Sequence, residues 1–241
     1  TNDAGLGMLQ ALGFRFLDKS GHTLGTGGQI MEAVANIDTS GIHPALKETH
    51  FVVACDVTNP FYGPDGVAYI FAQQKGTDPK MVQRLDEGMQ SLAEVIKKTT
   101  GKDITNYPGA GAAGGMGGGL LAFFNAELKP GTELLLKAID FSEKIKGADL
   151  IITGEGKADR QTAMGKVPYR ILKEAQKEHI PVIVLAGSIE NLPELNKAGF
   201  KGIFSIAPGP ITLEKAMEPE FAKENITRLV SQLYSVITSF G

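Results

Sequence analysis

The sequence is poor in cysteine, in net charge and in long apolar runs, and each scarcity excludes a class of protein. The single cysteine, Cys55, excludes an internal disulfide framework and fits a reducing compartment. With 24 basic and 27 acidic residues the net charge is −3, so no global field favours nucleic acid or an anionic membrane. No apolar run reaches the roughly 18 residues that span a bilayer, and no signal-peptide pattern opens the chain. We therefore expect a cytoplasmic protein with neither nucleic acid nor membrane as partner.

Histidine-based chemistry is also poorly represented. The four histidines, at positions 22, 43, 50 and 179, show no metal-ligand spacing. No serine-histidine-acid arrangement and no zinc site can be recognised. Cys55 lies in an apolar run and is interpreted as a buried strand residue rather than a nucleophile.

The first part of the chain is rich in glycine and in helical patterns. Apolar residues at mixed spacings of three and four predict one helix over residues 5–17. Residues 50–54 predict a strand. Asp78 as N-cap, Pro79 in the first turn and Gly101 beyond the last turn delimit a long amphipathic helix. Further helices are predicted over residues 120–126 and 132–145.

After residue 148 the pattern changes to a regular alternation of short Ile/Val-rich strands and helices. The predicted strands are 149–153, 181–186 and 202–206, and the predicted helices are 165–178, 192–198 and 221–238. This alternation predicts an α/β protein of two α/β domains, 1–147 and 148–241. The second would be a Rossmann- or flavodoxin-like doubly wound parallel sheet. Three strands are few for such a sheet, so we expect further strands from a segment preceding Thr1.

The stretch from Asp149 to Lys166 has the strongest chemical character. An apolar strand is expected to end in a Gly154-Glu155-Gly156 turn, followed by a loop dense in charged and polar side chains. Ligands of parallel sheets bind at the carboxyl ends of the strands. Phosphoryl transfer needs cations for the phosphates, carboxylates for Mg²⁺ and a base for the acceptor hydroxyl, and this loop supplies all three. The residues concerned are Glu155, Lys157, Asp159, Arg160, Gln161, Thr162 and Lys166.

Two further loops carry candidate ligands. Asp56 and Asn59 follow the predicted strand 50–54, where the alternative is a simple Asx-type turn. Gln74 and Lys75 lie in a short polar segment that is either an exposed turn or a contact for a substrate carboxylate or phosphate.

The glycine run at residues 109–119 contains a G-x-G-x-x-G pattern at Gly109, Gly111 and Gly114. One interpretation is close helix packing and tight turns. The other is a backbone cradle for phosphate at a helix N-terminus. A dinucleotide fingerprint would need a clear strand before it, and only the weak candidate 103–107 precedes Gly109.

Five blocks, in this order along the chain, resemble the bacterial glycerate kinases of the first class. They are Thr1-Asn2-Asp3, the segment 55–60, Gln74-Lys75-Gly76, the glycine segment 109–115, and Thr153-Gly154-Glu155-Gly156 with Asp159, Gln161, Thr162, Gly165 and Lys166. The resemblance implies an ATP-dependent kinase that phosphorylates D-glycerate, usually to 2-phosphoglycerate. It also implies two α/β domains, and an N-terminal segment of the family that would precede Thr1.

Within this resemblance we assign expected roles to the site residues. Asp159 would be the base with Asp3 in reserve, Lys166 would neutralise the transferring group, and Mg²⁺ would lie near Glu155 or Asp56. The expected glycerate contacts are Asn59, Gln74 and Lys75. The expected ATP contacts are Gly109, Gly111, Gly114, Gly115, Gly154, Gly156, Gln161 and Thr162. The alternatives are a NAD-type oxidoreductase and a non-catalytic fragment of the kinase, and a homodimer is left open.

Overall fold

The computed structural model describes residues 2–72, 76–190 and 192–239, and Gln74 and Lys75 therefore lie outside the described residues. The chain forms two compact units, Thr1–Gly131 and Thr132–Gly241. The predicted domain boundary near residue 147 stays a prediction.

The α-helices are α1 Leu6–Ala11, α2 Pro79–Thr100, α3 Ala112–Phe124, α4 Gly131–Ala138, α5 Phe141–Lys144, α6 Val167–Lys177, α7 Leu192–Ala198, α8 Leu213–Ala216 and α9 Pro219–Thr238. The strands are β1 Arg15–Leu17, β2 Asn36–Asp38, β3 Val52–Ala54, β4 Glu127–Lys129, β5 Ile151–Ala158, β6 Val182–Ile189 and β7 Gly202–Ser205.

Parallel strand pairs in both units confirm the predicted α/β class. In the first unit β3 pairs in parallel with β4, and β1 pairs with β2 in antiparallel fashion. In the second unit β5, β6 and β7 form one parallel sheet in that order. A sequential order of parallel strands is that of one half of a doubly wound sheet.

The long helix α2 confirms the prediction made from its ends. The Asp78 carboxylate accepts a hydrogen bond from Met81 N at 2.9 Å, Pro79 opens the helix and Gly101 ends it in the left-handed region. Met89 and Leu92 are fully buried in the core of the first unit. Local capping and the apolar stripe point to the same element, which is why this helix could be predicted from sequence.

The helix predicted over residues 5–17 is wrong in its second half. Helix α1 ends at Ala11, and β1 then carries Phe16 into the core. Gly13 separates the two elements with φ of +98°, and a Cβ there would lie 2.0 Å from Gly41 O. The close approach of these two backbone segments ends the helix.

One other predicted helix also differs from the structure. The segment 132–145 forms two short helices, because Asp140 adopts a left-handed φ of +51° between α4 and α5. The helix predicted over residues 120–126 is confirmed as the last part of α3, and the short strand β4, paired with β3, follows it.

Lys102 caps the C-terminal end of α3. Its Nζ donates to Leu121 O at 3.1 Å, Ala122 O at 2.8 Å and Asn125 Oδ1 at 2.5 Å. Burial lowers the pKa of Lys102. A cation at this end of a helix satisfies carbonyls that have no partner within the helix.

Replacing Lys102 with methionine is therefore expected to cost about 1–3 kcal/mol of unfolding free energy, since three acceptors lose a charged donor. Urea denaturation at neutral pH measures the loss. Lys98→Met, at an exposed lysine near the end of α2, is the control and should change stability by less than about 0.5 kcal/mol. Equal losses for both variants would contradict the capping role.

The core of the second unit lies on one face of its sheet. Val182, Val184 and Ala186 of β6 pack with Leu172 of α6 and Leu195 of α7. The central strand is buried over most of its length, as expected for a parallel sheet. Among the described residues, no helix is both long and apolar enough to cross a membrane.

Candidate functional site

The strand β5 extends through the predicted Gly154-Glu155-Gly156 turn. Parallel pairing with β6 continues to Ala158, which lies opposite Ile189. The turn prediction is therefore wrong, because ladder hydrogen bonds to β6 hold these glycines in extended conformation. Asp159 follows Ala158 directly and so stands at the carboxyl end of the sheet, where ligands of such sheets bind.

Three of the predicted site residues form one charged cluster at this end of the sheet. Lys166 Nζ lies 3.0 Å from Glu155 Oε1 and 3.3 Å from Asp159 Oδ1. The side chains of Glu155 and Asp159 are only 13% and 20% exposed, whereas that of Lys166 is 37% exposed. The loop after β5 returns to place Lys166, the N-cap residue of α6, against both carboxylates.

The cluster shifts the titration of two of its members. Hydrogen bonding to Glu155, opposed by burial and helped by Asp159, raises the pKa of Lys166. Burial acts to raise the pKa of Asp159, but hydrogen bonds from Lys166 and from the N–H groups of Gln161 and Thr162 outweigh it, so this pKa is lowered. The Asp159 contribution to stability is present above the ordinary aspartate pKa and is lost as the pH falls through the lowered one. The Lys166 contribution is lost only as the pH rises through its raised pKa.

We expect Lys166→Met to raise the pKa of Asp159, because the substitution removes a charged donor while both backbone donors remain. Carboxyl-carbon NMR titration of the wild type and the variant measures the change. Lys157→Met is the control: Lys157 is also on β5 but pairs with Glu190 at 2.9 Å. An unchanged Asp159 pKa in Lys166→Met would contradict the pairing.

Reciprocal hydrogen bonds hold the loop after β5 in place. Asp159 N donates to Thr162 Oγ1 at 3.0 Å, and Gln161 N and Thr162 N donate to Asp159 Oδ1 at 2.9 and 3.3 Å. Thr162 is fully buried, whereas Gln161 is exposed. Thr162 therefore shapes the loop, and Gln161 is the more accessible of the two predicted cofactor contacts.

A groove of about 490 Å³ lies along the exposed face of β5. Gly154, Glu155 and Gly156 line it together with Leu185 of β6 and Ile226 of α9. A Cβ added to Gly156 would meet nothing within 4 Å. The groove therefore offers bare backbone beside apolar side chains, an arrangement that ligand sites commonly use. The sequence did not identify Ile226 as a residue of this groove, because Ile226 lies in α9, which is distant from β5 in the sequence.

Glu155 offers a carboxylate oxygen suited to a divalent cation. Its Oε1 contacts Lys166, whereas its Oε2 is buried and has no hydrogen-bond partner among the described residues. Such an unpartnered oxygen fits the hard oxygen ligand that Mg²⁺ prefers. The described residues contain no group of three or more His, Cys, Asp or Glu side chains that could by itself hold a metal ion.

In the first unit the loop after β3 packs against the start of the glycine run. Gly111 N donates to Asn59 O at 3.1 Å, and a Cβ on Gly111 would lie 2.4 Å from Pro60 O. Asn59 Nδ2 donates to Asp65 O at 3.0 Å, and Asp56 Oδ1 accepts from Gly131 N at 2.9 Å. The structure thus brings the segments 55–60 and 109–111 together.

The glycine run itself is tightly packed. Gly114 and Gly115 are buried and left-handed, with φ of +76° and +90°. Gly115 N donates to Gly111 O, and Gly114 O accepts from Ala4 N beside Asp3. Since Gly111 and Gly115 donate their N–H groups within the chain, these two groups are already used. Gly109 is also buried, with φ of +87°. Residues 101–108 form no strand, so the pattern lacks the context of a dinucleotide fingerprint.

The fold and the charged cluster together define the class of protein. It is an α/β protein with acidic and basic side chains at the carboxyl end of a parallel sheet. The sequence model of the glycerate kinase family matches residues 1–238. The chain belongs to the glycerate kinase family.

Curated relatives and a solved structure agree with this assignment. The chain is 43% identical to glycerate 2-kinase of Escherichia coli (strain K12), over 95% of the chain and 60% of that protein. It is 42% identical to a glycerate kinase of Halalkalibacterium halodurans, over 90% of the chain and 58% of that protein. A crystal structure from Salmonella typhimurium LT2, described as a glycerate kinase 2, superposes with a TM-score of 0.80 at 39% identity, over 99% of the chain and 63% of that protein. The chain therefore spans about three fifths of the length of these relatives.

Proposed function

We propose that this chain carries phosphoryl-transfer machinery of a glycerate kinase, which uses ATP to convert D-glycerate to 2-phosphoglycerate. A bond forms between the acceptor hydroxyl oxygen and the γ-phosphorus, the bond from that phosphorus to the ADP oxygen breaks, and the hydroxyl loses its proton. The observation that carries the proposal is Lys166, held between Asp159 and Glu155, of which Glu155 is also among the residues that line the groove. The relatives are named glycerate kinase and glycerate 2-kinase, and these names support glycerate as the proposed substrate.

In this proposal the groove along β5 accepts the nucleotide. Gly154 and Gly156 have no side chain to obstruct phosphate or ribose groups, and Gln161 is an exposed polar contact nearby in sequence. Lys166 is partly exposed and stays protonated, so it can neutralise negative charge that shifts during transfer. Its carboxylate partners orient the ammonium group before the ligand arrives.

Mg²⁺, when bound with ATP, would neutralise the phosphate charge. Glu155 Oε2 is the described oxygen that best fits this ion, and Asp56 is retained as a candidate that already accepts one hydrogen bond from Gly131 N. Both assignments are proposals about this chain's own residues.

Asp159 is retained as the group that accepts or orients the acceptor hydroxyl. The lowered pKa of Asp159 makes it a weak base. Phosphoryl transfer passes through a loose transition state, which requires little general-base catalysis. Asp3 is the reserve, and its Oδ1 accepts from Gly5 N at 3.1 Å.

For glycerate we propose Asn59, Gln74 and Lys75 as contacts. The buried glycines at 109, 111, 114 and 115 are proposed to shape this part of the first unit. Gly111 and Gly115 donate their N–H groups within the chain, so a contact of these two glycines with ATP would not use those groups.

Formation of ADP from Mg-ATP in the presence of D-glycerate tests the proposed activity, with E. coli glycerate 2-kinase as positive control. Glycerate-dependent ADP formation supports the proposal. Binding of a nicotinamide dinucleotide in place of ATP, or failure to bind Mg-ATP at all, would overturn it. A cytoplasmic location and a homodimer are further proposals, which cell fractionation and light scattering would test.

Gly156→Val tests the groove as the nucleotide site. The new side chain enters open space and suits a strand, so folding should be retained while the affinity for ATP falls by about tenfold or more. Calorimetric titration with Mg-ATP and thermal unfolding measure the two quantities. Gly209→Ala is the control, because it also adds a side chain in open space but lies outside the groove. Unchanged affinity in Gly156→Val would place the nucleotide elsewhere.

A further inference from the structure

A second pocket in the Thr132–Gly241 unit lies among the helices α4, α5 and α6. Its volume is about 300 Å³, and it is lined chiefly by charged side chains. The charged residues are Glu133, Lys137, Arg170, Lys173 and Glu174, and the Ser142 hydroxyl lies among them. None of them belongs to the cluster of Glu155, Asp159 and Lys166, so the proposed function leaves this pocket unexplained.

Positive charge exceeds negative charge in this pocket. Glu174 is already neutralised, because both of its carboxylate oxygens lie 2.7 Å from Lys177 Nζ and Ser142 Oγ donates to Oε2 at 2.9 Å. These contacts hold the pKa of Glu174 below its usual range. Glu133 is then the remaining carboxylate facing Lys137, Arg170 and Lys173.

The three cations have few partners of their own. Lys173 Nζ donates to Gln176 Oε1 at 3.1 Å and stands over the Tyr169 ring, 5.1 Å from its centroid. Within the part of the chain that the structure describes, neither Lys137 nor Arg170 forms an ion pair with a carboxylate. These cations are therefore free to bind an external anion.

The side chain of Arg170 gives the strongest reason to expect that this pocket binds an anion. Its Nε is buried and has no hydrogen-bond partner among the described residues. A guanidinium presents its donors in a rigid planar fork that suits phosphate oxygens, and leaving a buried donor unpaired is unfavourable. The Arg170 Nη2 atom also lies 3.9 Å from the position that a Cβ on Gly165 would take, so the pocket adjoins the loop that carries Lys166.

We propose that Lys137, Arg170 and Lys173 form a binding site for a small phosphate dianion, either inorganic phosphate or the phosphate group of a monoester. Two uncompensated positive charges match a dianion. The Ser142 hydroxyl adds a group that can donate or accept, and the pocket volume suits a small ligand. The site does not depend on the proposed kinase activity.

Titration of the folded chain with inorganic phosphate and, separately, with glycerol 1-phosphate tests the site at constant ionic strength. Calorimetry gives the affinity, and backbone amide NMR shows where each probe binds. The expected shifts centre on Lys137, Ser142 and Arg170. Tighter binding of the ester would indicate a phosphorylated metabolite, and equal binding would indicate free phosphate.

Arg170→Gln is expected to weaken phosphate binding by at least about tenfold, since it removes a charged multidentate donor. Lys137→Gln, at an exposed position, should weaken binding by a smaller factor, and Lys197→Gln on α7 should leave it unchanged. If Arg170→Gln does not fold, Lys137→Gln decides the question. The proposal is overturned if neither probe saturates, if the folded lining variants bind like the wild type, or if the shifts map only to residues 154–166.

Discussion

Replacing Lys166 with methionine is expected to lower the rate of the proposed phosphoryl transfer by about 10²- to 10³-fold, the usual effect of removing one preorganised donor from a reacting oxyanion. Lys166 Nζ is held by Glu155 Oε1 at 3.0 Å and by Asp159 Oδ1 at 3.3 Å, so its position is set before any ligand binds. Methionine keeps much of the length and apolar volume of the side chain and removes the ammonium group with its charge and its hydrogen-bond donors. Steady-state ADP formation with Mg-ATP and D-glycerate measures the effect.

The stability of this variant must be measured beside its rate. Lys166 is partly exposed, but the carboxylates of Glu155 and Asp159 are largely buried and lose a charged donor, so the variant is expected to fold with a loss of about 1–3 kcal/mol of unfolding free energy. Lys157→Met is the matched control, because it removes another partly exposed ion pair of β5 that lies outside the cluster. The assigned role fails if Lys166→Met keeps the wild-type rate, or if both variants lose activity equally.

Local sequence signals accounted for the elements whose ends and faces are encoded nearby. Helix α2 carries its N-cap, its proline and its terminal glycine within its own sequence. The alternation of strands and helices after residue 148 likewise predicted β5, β6 and β7 in parallel. In each case propensity, periodicity and turn residues agree, which is the condition under which sequence reasoning succeeds.

Elements that depend on distant partners were not predictable in this way. Strand β4 is three residues long and is stabilised by pairing with β3, from a remote part of the chain. Strand β5 passes through two glycines that locally favour a turn, because β6 supplies ladder partners along its length. The same dependence on tertiary context ended α1 at Ala11.

The candidate site also has features that the local sequence predicts and features that depend on the fold. The residue types of the loop identified Glu155, Asp159 and Lys166 as candidates. They did not predict that Lys166 would lie between the two carboxylates. They also did not reveal that the Thr162 hydroxyl is used within the loop or that Ile226 lines the groove. Residue types indicate which chemistry is available, whereas the fold decides which side chains remain accessible for it.

The glycine run provides the second large expected effect: Gly115→Ala should lower the unfolding free energy by about 2–5 kcal/mol, from left-handed strain and overpacking together. Gly115 has φ of +90°, and an added Cβ would lie 2.6 Å from Met89 Cε, 3.0 Å from Phe61 Cε2 and 3.2 Å from Ala4 Cα. Met89 and Phe61 are fully buried, so neither has free space to move into. Urea denaturation followed by circular dichroism measures the loss.

Gly7→Ala is the matched control for this substitution. Gly7 lies inside α1, and a Cβ there would meet nothing within 4 Å, so alanine should be neutral or stabilise the helix by up to about 1 kcal/mol. The same pair of variants separates the two interpretations of the run. If packing is the main role, Gly115→Ala loses stability whether or not ATP is present. If the run acts instead as a phosphate cradle, the variant keeps its stability and loses affinity for Mg-ATP, and that outcome would contradict the packing role assigned to Gly115.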